Sequence, residues 1–229
     1  MKESIYTIPV SEVFEPKDDC PLCKMRDILE QRCVEYILGA AMMEPDIRQE
    51  TNRLGFCLPH FQMMLRRKNR LSLALVLESH LNELYASIEQ GKQFEIQRKK
   101  NGNPEETCYV CSQIDWAMER MLKTVVDLWT KEETFRNLFA EQSKLCVRHY
   151  RQLCSAAAAH LKKKDASAFE KEARQLTLKA LGEIKEDVSH FCKMFDYRNN
   201  GAGADWGNSR DSAERAIWYL TSRKPDGQK

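Results

Sequence analysis

The sequence predicts an all-α protein made of two pseudo-equivalent helical repeats, each stapled by a Cys3His metal site, with a C-terminal tail and helix. Three observations predict this. The 229 residues include only 9 glycines and 7 prolines, too few for a fold with many turns. Apolar residues recur at helical spacing along most of the chain. A Cys-x-x-Cys pair followed by a Cys-x-x-His pair occurs twice.

The repeated motif has nearly the same dimensions in both halves. In each half, 33 or 34 residues separate the Cys-x-x-Cys pair from the Cys-x-x-His pair, and the two copies are offset by 88 or 89 residues. The predicted metal ligands are Cys20, Cys23, Cys57 and His60 in the first half, and Cys108, Cys111, Cys146 and His149 in the second.

Helices are predicted between the ligand pairs of the first half and after them. A helical stripe follows Cys23. Pro45 fits the first turn of a second helix, and Gly55 fits its end just before the next ligand pair. The segment 71–97 again reads as a helix. The first repeat is therefore assigned to residues 1–100.

The second half follows the same plan. An apolar stripe runs from Ile114 to Trp129, and Thr130-x-x-Glu133 has the form of a capping box for the next helix. A long helix is predicted over 169–195. Residues 99–106, with Gly, Asn and Pro together, form the expected linker. The second repeat is assigned to residues 101–196 and the tail to 197–229, all packed as one compact unit.

The ligand types favour zinc. Cys3His is a common closed tetrahedral set, and a helix N-terminus stabilises a thiolate. Four ligands per site leave no position open for water, which indicates structural rather than catalytic metal. An iron–sulfur cluster and a set of reduced buried cysteines are the alternatives. Pairing within each half is the simpler arrangement, but Cys20 and Cys23 could instead meet Cys146 and His149.

The composition of the chain limits the cellular compartment and the classes of binding partner that we expect. No apolar run approaches the roughly 18 residues of a membrane span, and the N-terminus lacks a signal-peptide core, so a cytoplasmic, reducing environment is expected. The formal net charge is only +2, which gives no overall attraction to nucleic acid. Three basic clusters keep nucleic-acid binding open, although each falls where a helix is expected to end; they are 66–70, 98–100 and 162–164.

The tail is the one segment that suggests a ligand pocket. Asp196 begins a crowded polar run, and the candidate ligand-binding residues are Tyr197, Arg198 and Asn199. The alternative is a C-terminal helix that folds back through Trp206 and Trp218, with Asp–Arg pairs holding the turn.

Five short motifs resemble a bacterial domain-of-unknown-function family, number six-zero-six-two. They are CPLC at Cys20, GFCLPH ending at His60, CYVC at Cys108, LCVRH ending at His149 and FDYRN from Phe195. The resemblance spans nearly the whole chain. It implies a bacterial cytoplasmic protein with paired metal-ligand motifs, and it implies no activity.

Function is predicted from what the sequence contains and lacks. The ligand sets are closed, and no general acid, base or nucleophile constellation stands out, so a non-enzymatic interaction or adaptor protein with a protein partner is expected. The alternatives are an enzyme or small-ligand binder that uses the tail, and a nucleic-acid-binding protein.

Overall fold

The computed structural model describes residues 7–91, 107–196, 198, 199, 201, 204–223 and 225. These ranges contain ten α-helices, one short 3-10 helix and no strand, which confirms the all-α fold class. The elements are α1 Thr7–Phe14, α2 Pro21–Leu38, the 3-10 helix Ala40–Met43, α3 Pro45–Leu54, α4 Leu58–Arg66, α5 Arg70–Glu89, α6 Tyr109–Lys131, α7 Glu133–Ala140, α8 Val147–His160, α9 Lys163–Met194 and α10 Ser212–Thr221.

The chain divides into two compact units. Residues 1–25 and 119–229 form one, called the terminal unit, and residues 26–118 form the other, called the central unit. The chain passes from one unit to the other within α2 and again within α6. The predicted boundaries at 100 and 196 do not coincide with the ends of either unit. The equivalence of the two repeats stays a prediction.

The terminal unit has an aromatic core. Phe14 of α1 packs at a tilt against Phe135 of α7 and stacks on Phe139 of the same helix, with ring centroids 5.1 and 6.0 Å apart. Phe169 of α9 joins this group through Phe139 and through Trp129 of α6, at 5.2 and 5.1 Å. All five rings are buried. Aromatic contacts therefore tie together segments from both ends of the sequence.

The C-terminal segment folds back along α9. Tyr219 of α10 is buried, and its hydroxyl donates to the carbonyl of Thr177 at 2.8 Å. Trp206 packs on Phe191 and Phe195 with centroids 5.8 and 5.9 Å apart. α10 also contacts α8. The tail is thus part of the terminal unit.

The central unit packs α5 against α3, α4 and the 3-10 helix. Pro45 opens α3 at its first turn, as predicted. Gly55 ends α3 at φ 60°, a left-handed conformation that glycine adopts without strain, which confirms the predicted helix stop. The helix predicted over 71–97 is α5, Arg70–Glu89. The end of that prediction and the linker 99–106 lie outside the described residues.

The predicted capping box at Thr130 is wrong. α6 runs on to Lys131, and the Thr130 hydroxyl donates to the carbonyl of Val126 at 2.8 Å instead of capping the next helix. Glu132 is the N-cap residue of α7, without a side-chain cap bond. A threonine hydroxyl can bond back to the preceding turn, so the sequence pattern alone did not separate the two roles.

None of the helices in the described ranges combines the length and the apolar composition that crossing a membrane requires.

Candidate metal centres

The eight predicted ligands lie together in two groups of four, and each group combines pairs from both halves of the sequence. Cys20 and Cys23 meet Cys146 and His149; we call this the first centre. The second centre contains Cys57, His60, Cys108 and Cys111. Within each group the donor atoms all lie within 4.8 Å of one another. The predicted pairing within each half is therefore wrong, and the swapped arrangement is the one observed.

The first centre is buried. The three thiols are each 2% exposed and His149 is 1% exposed. His149 Nδ1 lies 3.5, 3.4 and 3.1 Å from the Sγ atoms of Cys20, Cys23 and Cys146. The Sγ atoms of Cys23 and Cys146 are 3.7 Å apart. The histidine nitrogen therefore faces all three sulfurs at nearly the same distance.

The second centre has a similar geometry, but two of its ligands are more exposed to solvent. His60 Nδ1 lies 3.0, 3.2 and 3.6 Å from the Sγ atoms of Cys57, Cys108 and Cys111. The Sγ atoms of Cys57 and Cys111 are 3.9 Å apart. His60 and Cys108 are buried, whereas Cys57 and Cys111 are half-buried.

These separations fit one tetrahedrally coordinated ion. With metal–sulfur bonds of about 2.3 Å and metal–nitrogen bonds of about 2.0 Å, tetrahedral edges are about 3.8 Å between sulfurs and about 3.5 Å between sulfur and nitrogen. The sulfur–sulfur separations of 3.7 and 3.9 Å match the first value, and the sulfur–nitrogen separations run from 3.0 to 3.6 Å, at or somewhat below the second. Each centre therefore has the size and donor set for a single four-coordinate metal ion.

All four ligand pairs lie at the N-termini of helices. Cys57 and Cys146 are the N-cap residues of α4 and α8. Cys20 and Cys108 directly precede α2 and α6, and their carbonyls accept from the amides of Cys23 and Ser112 at 3.0 Å. The partial positive charge of a helix N-terminus favours thiolates at these positions.

A further bond ties the two ligand pairs of each centre together. In the second centre the Tyr109 amide donates to the carbonyl of Gly55 at 2.9 Å, which joins residues beside both pairs. In the first centre Lys144 forms a 2.7 Å ion pair with Asp19, next to Cys20. The ligand pairs are thus held close by the protein itself.

The pKa values of the thiols show that the three cysteines of a centre do not all ionise readily in the absence of a cation. Hydrogen bonds from Cys20 and Cys23 hold the pKa of Cys146 far below its usual range, whereas burial raises the pKa of Cys20 to about 12. In the second centre, hydrogen bonding with Cys111 lowers the pKa of Cys108 to about 3, and the same contact raises the pKa of Cys111. One thiolate in each group discourages ionisation of its neighbours, and a divalent cation would remove that repulsion.

Two supporting residues went unnoticed in the sequence. Glu30 accepts a 2.9 Å hydrogen bond from Nε2 of His60, and both side chains are buried. Burial opposes the charged form of His60, but its bonds to Cys108 and Glu30 outweigh that effect and raise its pKa to about 10. Ser222, fully buried, places its hydroxyl 2.9 Å from Sγ of Cys146. No motif marks either residue, because both contacts arise only from the tertiary fold.

Glu30 orients a ligand, so its loss should weaken one centre selectively. We expect Glu30→Gln to lower the metal affinity of the second centre by roughly 10- to 100-fold, because the carboxylate fixes the ring and strengthens its Nδ1 as a donor. Competition with a chromophoric chelator, which resolves the two ions, measures this. Glu35→Gln, an exposed position on the same helix, is the control. Equal affinities in wild type and Glu30→Gln would contradict the assignment.

The helices between the ligand pairs differ in length. α2 has 18 residues and spans about 27 Å, whereas α3 has 10 residues and spans about 15 Å. In the second half, the 23 residues of α6 span about 35 Å and the 8 residues of α7 about 12 Å. The similar spacing of the two motifs in the sequence does not reveal this difference.

Two of the three predicted ligand-binding tail residues, Arg198 and Asn199, lie in a solvent-exposed turn. Arg198 pairs with Asp196 at 2.6 Å, and the Asn199 side chain donates to the carbonyl of Lys193 at 3.0 Å. Tyr197 lies outside the described residues. Two cavities formed by described residues are lined by neither Arg198 nor Asn199. The ligand-binding role of the tail therefore stays a prediction.

Two of the three basic clusters lie among the described residues, and each lies at a helix end. Residues 66–70 connect α4 to α5, and Arg67 pairs with Glu35 at 2.8 Å. Residues 162–164 begin α9, the helix end where the backbone dipole disfavours cations. The cluster 98–100 lies outside the described residues. Residues 66–70 belong to the central unit, and residues 162–164 belong to the terminal unit.

The fold and the two donor sets define a class: an all-α protein with two Cys3His centres, each built from sequence-distant helix starts. The chain belongs to the family of unknown function DUF6062, whose model matches residues 1–227. No match is found among curated proteins or among solved structures.

Proposed function

We propose that this protein is a zinc-stabilised, non-enzymatic interaction protein with two structural zinc ions. The observation that supports it is the closed donor set: each centre supplies three thiolates and one imidazole, as many ligands as a tetrahedral zinc site needs. A catalytic zinc usually keeps one position for water. The metal then joins helix starts that are far apart in sequence.

The donor separations favour one ion over a multi-iron cluster. In a multi-iron cluster, ligands on different irons lie further apart than 4.8 Å, whereas all four donor atoms of each centre lie within that distance of one another. Metal analysis of purified, reduced protein tests the assignment. We expect two zinc equivalents per chain and no visible absorbance; stoichiometric iron with a visible band would contradict it.

The exposed face of α5 supports the interaction role. Leu81, Tyr85 and Ile88 follow one another at helical spacing and are 60%, 70% and 65% exposed. The buried residues of α5 lie in its first two turns, at Ser72, Leu73 and Val76. The last half of the helix thus presents an apolar stripe that the described residues leave uncovered. Such a stripe is typical of a protein-binding surface.

The charges beside the stripe indicate the partner. Glu78 lies one turn before Leu81, and Glu89 one turn after Tyr85, on the same side of the helix. Beyond Arg70 the helix contains no lysine or arginine. A second copy, or an anionic membrane, would bring like charges together. We therefore propose that the stripe binds an amphipathic helix with basic flanks.

Two synthetic helical peptides test this surface. Both carry the same leucine stripe, and one has lysine flanks while the other has glutamate flanks. We expect the lysine peptide to bind at least roughly tenfold more tightly by fluorescence anisotropy, with a preference that weakens in high salt. Leu81→Ala with Tyr85→Ala should abolish binding, because both apolar anchors are removed.

Matched variants distinguish specific binding at this stripe from non-specific hydrophobic binding. Leu71→Ala removes an equally exposed leucine at the other end of α5 and should leave binding unchanged. Glu78→Lys with Glu89→Lys should reverse the preference toward the glutamate peptide. Equal binding of both peptides, or a concentration-dependent dimer that Tyr85→Ala disrupts, would contradict the proposed partner.

A further inference from the structure

A cavity of about 330 Å³ in the terminal unit lies against the first metal centre. Cys20, Cys23 and Cys146 line one side of it. Most of the remaining wall comes from α9 and from the folded-back tail, through residues that include Ile184 and Trp218, and Lys144 completes it. This volume falls in the range of small-molecule sites. No part of the proposed function uses this cavity, so its ligand is a separate question.

The cations of the cavity wall are already neutralised. Arg215 pairs with Asp187 and Asp211 at 2.8 and 2.9 Å and also donates to the carbonyl of Asn208. Lys144 pairs with Asp19 at 2.7 Å, and its ammonium lies 4.8 Å from the ring centre of Trp218. An anionic ligand would have to break these pairs to reach either cation.

Negative charge remains available in the wall. Glu183 and Glu186 lie one turn apart on α9, line the cavity and are exposed. Within the part of the chain that the structure describes, neither carboxylate forms an ion pair. A zinc ion with three thiolates and a neutral histidine would add one more negative charge at the opposite wall. The field inside the cavity therefore favours a cation.

From this arrangement we infer that the cavity binds a small organic ammonium ion with an apolar body. The ammonium lies against Glu183 and Glu186, and the apolar body contacts Ala180, Ile184 and the aromatic tail residues. The predicted small-ligand role thus moves from the exposed turn at Arg198 to the cavity between α9 and α10. The inference rests on the cavity, on its carboxylates and on the zinc of the proposed function, and not on the α5 stripe.

Three probes of one shape test the inference on the zinc-loaded protein. They are phenethylammonium, 2-phenylethanol and 3-phenylpropanoate. By isothermal titration we expect phenethylammonium to bind at least roughly tenfold more tightly than either other probe and to raise the melting temperature. Glu183→Gln with Glu186→Gln should weaken its binding roughly tenfold, since two partly exposed charge pairs are lost.

Controls make each outcome decisive. Glu119→Gln with Glu133→Gln removes two exposed carboxylates of the same unit that do not line the cavity, and should leave binding unchanged. Ile184→Trp, which fills the cavity from a half-buried position, should abolish binding. Zinc content measured on every variant separates loss of the cavity from loss of the metal. Equal binding of all three probes, tighter binding of 3-phenylpropanoate, or no heat with phenethylammonium would overturn the inference.

Discussion

Removal of both metal ions should unfold most of the protein. A structural zinc site contributes roughly 10–16 kcal/mol of apparent binding free energy, comparable to or larger than the roughly 5–15 kcal/mol stability of a typical domain. Each centre joins two helix starts, and burial without a metal leaves thiols that resist ionisation, such as Cys20. We therefore expect a strong chelator to abolish most of the helical circular-dichroism signal at 25 °C.

Two additions test that the effect comes from the metal. Zinc added in excess of the chelator should restore the helical signal, and chelator saturated with zinc beforehand should have no effect. Full helical content and an unchanged melting temperature in protein shown to be metal-free would contradict a structural role for the ions.

Phe169→Ala should destabilise the terminal unit by about 3–5 kcal/mol. Phe169 is fully buried and contacts Trp129 edge-on and Phe139 at a tilt, so its removal loses apolar burial and two ring contacts and leaves a cavity. Urea unfolding with the metal bound measures the change.

Phe195→Ala is the matched control, because that ring is 66% exposed. It should change stability by less than about 1 kcal/mol. An equally small effect of Phe169→Ala would show that the aromatic group is not the core of this unit.

The sequence predicted the donor set and most of the helices for the same physical reason: both depend on local spacing. Apolar periodicity placed α6 and α9, and the backbone preferences of Pro45 and Gly55 marked the ends of α3. The alternation of Cys-x-x-Cys and Cys-x-x-His marked all eight donors that the structure groups.

The pairing of the donors depends instead on the tertiary fold. The near-equal spacing of the two motifs permits local and swapped centres alike. The grouping of the donors, like the unequal lengths of α2 and α3, comes only from the structure. Glu30 and Ser222 escaped notice because a lone glutamate or serine has no sequence signature until the fold brings it to a ligand.

The swapped pairing is the central claim, and zinc counting in double variants tests it most directly. Cys20→Ser with Cys146→Ser removes two ligands of one centre, so we expect one zinc per chain. Cys20→Ser with Cys57→Ser removes one ligand from each centre, so we expect fewer than one tightly bound zinc per chain. The opposite result, one zinc in the second variant and fewer than one in the first, would show that the centres form within each half and would contradict the structure.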